Sequence, residues 1–78
     1  MSARSPLGAN LRRLRLASTN PGTGVRYTVD AAADELGVAP RTLLKWERGE
    51  SEPNYEYLTR LAEFYETTVP ALFEPSES

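Results

Sequence analysis

The chain has 78 residues, room for one domain with a modest core, since a domain this small buries only about 60% of the surface its unfolded chain exposes. It contains no cysteine and no histidine. That removes disulfides, thiolate and imidazole metal sites and the usual general base, and argues against an enzyme. The formal net charge of −2 is unevenly spread: residues 1–48 carry eight basic and four acidic side chains, a net of +4, and residues 49–78 carry one basic and seven acidic, a net of −6. Such a split fits a chain with one face toward a polyanion and another toward solvent or a second partner, and it also fits an ordinary mixed surface.

Residues 1–6 are polar and end in Pro6, and they read as a flexible N-terminal arm. The N-terminus, Met1 to Gly8, lacks the apolar stretch of a secretory signal, and no run of about 18 apolar residues suits a membrane span. A cytoplasmic protein is expected. Leu7, Leu11 and Leu14, with Ala17 next on that face, are spaced by four, three and three residues. This is the stripe of an amphipathic helix over 7–17. Ser18-Thr19-Asn20-Pro21-Gly22-Thr23-Gly24 is dense in turn formers and marks a surface loop. Gly24 to Val29 has room for a short extended stretch.

Thr28 suits an N-cap, because its hydroxyl can accept from a free backbone N–H two or three residues on. Asp30 falls in the first turn, where the helix dipole favours an anion. The alanine-rich segment 28–36 is then a short helix that Gly37 stops. Pro40 opens a third helix, where its missing N–H costs nothing. Leu43 and Trp46 face inward on it, and Arg41, Thr42, Lys45 and Arg48 fall on or beside its outer face. Gly49 ends it, and Glu50 to Pro53 form a loop. Asn54 caps a fourth helix with the stripe Leu58, Leu61, Ala62 and Tyr65. Thr68 and Pro70 start a short fifth helix carrying Val69, Leu72 and Phe73. Residues 74–78 are an acidic tail.

The pair of helices at 28–36 and 40–48, joined by a glycine turn, has the form of a helix-turn-helix. Ala33 lets the second helix cross closely, Gly37 makes the turn, and Leu43 anchors the second helix so that its other face stays free. Trp46-Glu47-Arg48-Gly49 followed by Pro53 is the most specific signal. Leu36-Gly37-Val38, Leu58, Leu61-Ala62, Val69 and Leu72-Phe73 add to it. With these residues the segment 7–73 resembles the Cro/phage-repressor, or XRE, family of helix-turn-helix proteins.

The resemblance implies an all-α, lambda-repressor-like bundle of about five short helices, with residues 7–73 as the DNA-binding domain. It implies that the third helix reads base edges in double-stranded DNA through Pro40, Arg41, Thr42, Leu44 and Lys45. Arg41 leads this set, because a guanidinium pairs in bidentate fashion with guanine O6 and N7, a contact that contributes about 1–3 kcal/mol of discrimination. Leu44 suits a thymine methyl. Phosphate contacts are expected from Arg12, Arg13, Arg26 and Arg48, from Thr28 and Val29 at the start of the second helix, and from Ser51, Asn54 and Tyr55. For Arg12, Arg13 and Arg41 plain solvation is the alternative, since phosphate contacts outnumber base contacts in such interfaces. Arg15 and Glu47 match positions that pair in related domains, and are expected to orient the recognition helix; Trp46 is expected to be a core anchor.

Three features depart from the family pattern. Val29 stands where glutamine often binds a phosphate. Glu50 and Glu52 stand in a loop that is often basic. The 18–27 loop is about seven residues longer than usual, and it either reaches the DNA backbone through Arg26 or stays mobile and unengaged. The resulting expectation is a small transcriptional regulator without cofactor or metal, a repressor acting by operator occlusion as a homodimer. Dimer contacts are expected around the fourth and fifth helices and Phe73. The alternative is an antitoxin or adaptor on the same fold, binding a protein partner through its acidic C-terminal half.

Overall fold

A computed structural model describes residues 6–75, with five helices and no strand among them. Residues 1–5 of the expected arm and 76–78 of the expected tail lie outside the described residues. In chain order the helices are α1 (Leu7–Ala17), α2 (Val29–Leu36), α3 (Pro40–Arg48), α4 (Tyr55–Phe64) and α5 (Val69–Leu72). All five coincide with the helices expected from periodicity and capping.

In α1, Leu7 and Leu11 are buried and Leu14 is half-buried, as the stripe requires. Ala17 is exposed, contrary to its expected place on that face. The buried arc is instead completed by Gly8, Asn10 and Arg15. At 100° per residue, Ala17 stands roughly 100° from the centre of that arc. The apolar spacing alone therefore placed the face too far round, because two polar residues and a glycine share it.

The 18–27 loop is folded on itself. Thr19 and Arg26 form an isolated antiparallel bridge. Asn20 N donates to Val25 O at 2.7 Å, and Tyr27 N donates to Ser18 O at 3.1 Å. At the tip, Asn20 Oδ1 accepts from Gly22 N at 2.8 Å. The extended stretch expected over Gly24–Val29 is realised as this single bridge. It delivers Tyr27 to the core, where only 8% of that residue remains exposed.

α2 begins where the Thr28 hydroxyl accepts from Ala31 N at 3.1 Å. It ends at Gly37, whose φ of 77° is left-handed. Val38 N then closes back onto Ala33 O at 3.0 Å. This tight stop turns the chain from α2 into α3 and lets Ala32, Ala33 and Leu36 meet Leu43 in one core. α4 is capped by Asn54 Oδ1, which accepts from Tyr57 N at 3.0 Å. α5 is capped by the Thr68 hydroxyl, which accepts from Ala71 N at 3.2 Å. Phe73 lies just past α5, as its C-cap, and is partly exposed, so it is not one of the helical residues expected there.

The core unites all five helices through Leu7, Leu11, Leu36, Leu43, Trp46, Leu61 and Leu72, with Tyr27 and Tyr65 at its edge. Pro53 is also buried, which explains its place in the Trp46-to-Pro53 signature: it packs the α3–α4 connection inward.

Candidate nucleic-acid interface

α3 is seated before it can be read. Gly8 of α1 lies so close to the end of α3 that a Cβ there would stand 2.7 Å from the carbonyl oxygens of both Trp46 and Glu47. Only a residue without a side chain permits that approach. Next to this contact, Arg15 and Glu47 form a bidentate pair: Nε donates to Oε2 at 2.8 Å and Nη2 to Oε1 at 3.0 Å. Arg15 Nη1 also donates to the carbonyl of Tyr27 at 3.1 Å. One guanidinium thus ties α1, the hairpin and α3 together.

Both partners are buried, their side chains 10% and 3% exposed. The hydrogen bond to Glu47 raises the Arg15 pKa above its already high ordinary value, against a smaller opposing effect of burial. A raised pKa keeps the contribution of the cation intact below its ordinary value, so it is constant throughout the neutral range. Two charges out of water favour a single geometry, because any other leaves one of them unpaired. The seat therefore fixes the rotation of α3 about its axis. The inward side presents Leu43, Trp46 and Glu47 to the core.

The opposite side of α3 carries the residues expected to read bases. Pro40, Arg41 and Lys45 are exposed, and Thr42 and Leu44 are half-buried. Arg41 and Lys45 are four residues apart and so lie one turn apart on the same face. The residues expected at phosphates are also at the surface. Arg12, Arg26, Thr28, Ser51, Asn54 and Tyr55 are exposed, Tyr55 by 74%. Val29 is half-buried against the core, which leaves its backbone N–H as its polar contribution. The hydroxyl of Thr28 and the Oδ1 of Asn54 already accept from their own helices.

Two of the arginines expected at phosphates also have side-chain partners within the chain. Arg13 Nη2 donates to Asn10 Oδ1 at 3.0 Å. Arg48 lies 4.0 Å from Glu50, an exposed pair of the kind that solvent screens heavily. Arg26 sits in the hairpin bridge to Thr19.

Sequence reasoning missed three residues that build this surface. Gly8 sits inside a helix, where glycine is about 1 kcal/mol worse than alanine, and that cost was the available signal of a packing reason. Asn10 is fully buried, and its Nδ2 donates to the carbonyls of Leu72 and Glu74, each at 2.8 Å. A polar residue next to an apolar stripe was its signal. Tyr27 had none, because its burial depends on the hairpin.

The geometry defines a class: a five-helix domain whose third helix is buried on one side and displayed, cationic, on the other. A family model described as a helix-turn-helix domain matches residues 6–74, and the chain belongs to that family. Among solved structures, it is similar to the solution structure of the SOS-response transcriptional repressor LexA from Eubacterium rectale. The TM-score is 0.73 at 23% identity, over 92% of this chain and 79% of that one. The likeness is one of fold. No curated protein matches the chain. No helix among the described residues is long and apolar enough to cross a membrane.

Proposed function

We propose that this domain binds double-stranded DNA in a sequence-specific manner and regulates transcription, with α3 in the major groove. The observation that carries this reading is the two-sided character of α3. Its inner side is locked by Gly8 and the Arg15–Glu47 pair, and its outer side leaves Arg41 and Lys45 exposed. A helix held in one rotation can present a fixed pattern of donors to base edges, which a loosely packed helix cannot.

In this reading Arg41 pairs with a guanine, Lys45 reaches a base or a phosphate, and Leu44 and Thr42 offer an apolar edge to a thymine methyl. Arg12, Arg48, the backbone at the start of α2 and the Ser51–Tyr55 segment hold the phosphates and set the register. The domain acts as a homodimer on two half-sites about one helical turn apart. Bound there, it represses by occluding the operator.

Selection of bound duplexes from a random pool tests the reading directly. The expected result is a recurrent half-site containing a G·C pair, repeated at a fixed spacing. A pool that stays random through repeated rounds would overturn base readout. Affinity for the selected site should also fall steeply with salt, since phosphate contacts release counterions.

A further inference from the structure

On α4, the hairpin and the end of α2, away from the recognition helix, the fold forms a cleft of about 540 Å³. Clefts that hold small ligands run from about 300 to 1,000 Å³. The rings of Tyr27, Phe64 and Tyr65 form its aromatic wall. Tyr27 and Phe64 meet edge to face with centroids 5.1 Å apart, and Phe64 and Tyr65 with centroids 4.8 Å apart. Phe64 is the half-buried ring of the three. Glu35 and Glu66 also line the cleft, both exposed and neither in a salt bridge among the described residues. Aromatic faces carry negative potential and attract cations, more strongly where water is partly excluded.

Glu66 is an unusual residue for its place. It follows α4 with φ at 57°, the one non-glycine residue with positive φ among those described. Thr67 N closes onto Ala62 O at 2.8 Å, the same closure that Val38 makes onto Ala33 after α2. At the equivalent positions after α2 and α3 the chain uses Gly37 and Gly49. A side chain in this conformation is strained relative to glycine, so local folding does not favour glutamate at 66. What glutamate adds there is a carboxylate beside the aromatic wall.

We propose that this cleft binds a small organic cation, a guanidinium or alkylammonium compound, through the Glu35 and Glu66 carboxylates and the Phe64 ring that line it. The site also touches the seat of α3: the carbonyl of Tyr27, whose ring lines the cleft, accepts from Arg15, which holds Glu47.

The test titrates the free protein, without DNA, with arginine methyl ester, putrescine and choline, and follows backbone amide shifts by NMR. Saturable shifts at Tyr27, Glu35 and Glu66 are expected for at least one probe, at a concentration where sodium chloride produces none. Glu66→Gly is expected to raise the melting temperature while weakening binding at least fivefold. That pairing separates loss of the site from loss of the fold. Phe64→Leu keeps every charge and should weaken binding by a similar factor. The proposal is overturned if none of the three probes gives saturable shifts, or if Phe64→Leu or Glu66→Gly binds as the parent does, since diffuse attraction to an acidic surface then explains the data. Because no DNA is present, failure here leaves the DNA-binding reading standing.

Discussion

Two of this domain's seams are built from different chemistry. Between α1 and α3 the contact is polar and directional: a glycine against two carbonyls, and a bidentate ion pair nearly sealed from water. Between the hairpin and α4 the contact is a run of three aromatic rings, Tyr27, Phe64 and Tyr65, with centroids 5.1 and 4.8 Å apart. Aromatic burial contributes large area with tolerant geometry. A buried ion pair contributes little net stability over an apolar replacement but penalises every wrong arrangement. The seam that positions α3 is the directional one. The aromatic seam beside it is the tolerant one.

The comparison makes its largest demand at Glu47. Glu47→Ala leaves Arg15 buried without its partner and should destabilise the fold by about 3–5 kcal/mol. The double replacement Arg15→Met with Glu47→Leu should recover most of that loss in urea unfolding, while DNA affinity stays low because α3 is no longer held in one rotation. Full recovery of affinity would break the distinction between the seams.

Gly8→Ala comes next. Alanine is the better helix former by about 1 kcal/mol, yet its Cβ would press on the α3 carbonyls. Overpacking of this kind typically costs about 1–3 kcal/mol, so a net loss of stability is expected in thermal unfolding. A net gain would show that the seam has slack.

The aromatic seam should respond in the opposite direction at Tyr65. Its hydroxyl is buried with no hydrogen-bond partner in the protein. Tyr65→Phe is therefore expected to be neutral or stabilising by about 1 kcal/mol. Burial, with the nearby Glu47 charge adding to it, raises the Tyr65 pKa above its ordinary 10.0. Below pH 10 the phenol is protonated in both the folded and unfolded states. Above it the unfolded chain releases the proton first, so stability falls as pH rises. Tyr65→Phe should flatten that alkaline limb, and a limb unchanged in the variant would assign it elsewhere.

The smallest effect on stability belongs to Arg41→Ala, within about 0.5 kcal/mol, as for other exposed side chains. Its effect on DNA should be the clearest: a loss of about 1–3 kcal/mol on the selected site and relaxed preference at one base pair. Equal affinity for parent and variant in a mobility-shift titration would remove Arg41 from the reading face.

Much of this was legible along the chain because helices are local. Caps at Thr28, Asn54 and Thr68, stops at Gly37 and Gly49, and apolar spacing within α3 and α4 depend on neighbours within a few residues, and α2 to α5 follow from them. The pairing of Arg15 with Glu47 was legible through family resemblance, across 32 positions that no local rule connects. The place of Ala17 was misjudged for the converse reason. Periodicity reports which residues are apolar, and the buried face of α1 is partly polar.

The sequence by itself determined that there are five helices, where α2 and α3 stop, that Leu43 and Trp46 face inward, and that Arg41 and Lys45 share an outer face. Only the tertiary structure decided that Gly8 is the point of closest approach, that Asn10 holds the chain after α5, and that the long loop is a hairpin placing Tyr27 behind Arg15. Hydrogen bonds and spacing within one helix are set by residues three or four apart. Contacts between helices depend on which surfaces meet, and that is settled when the whole chain packs into one core.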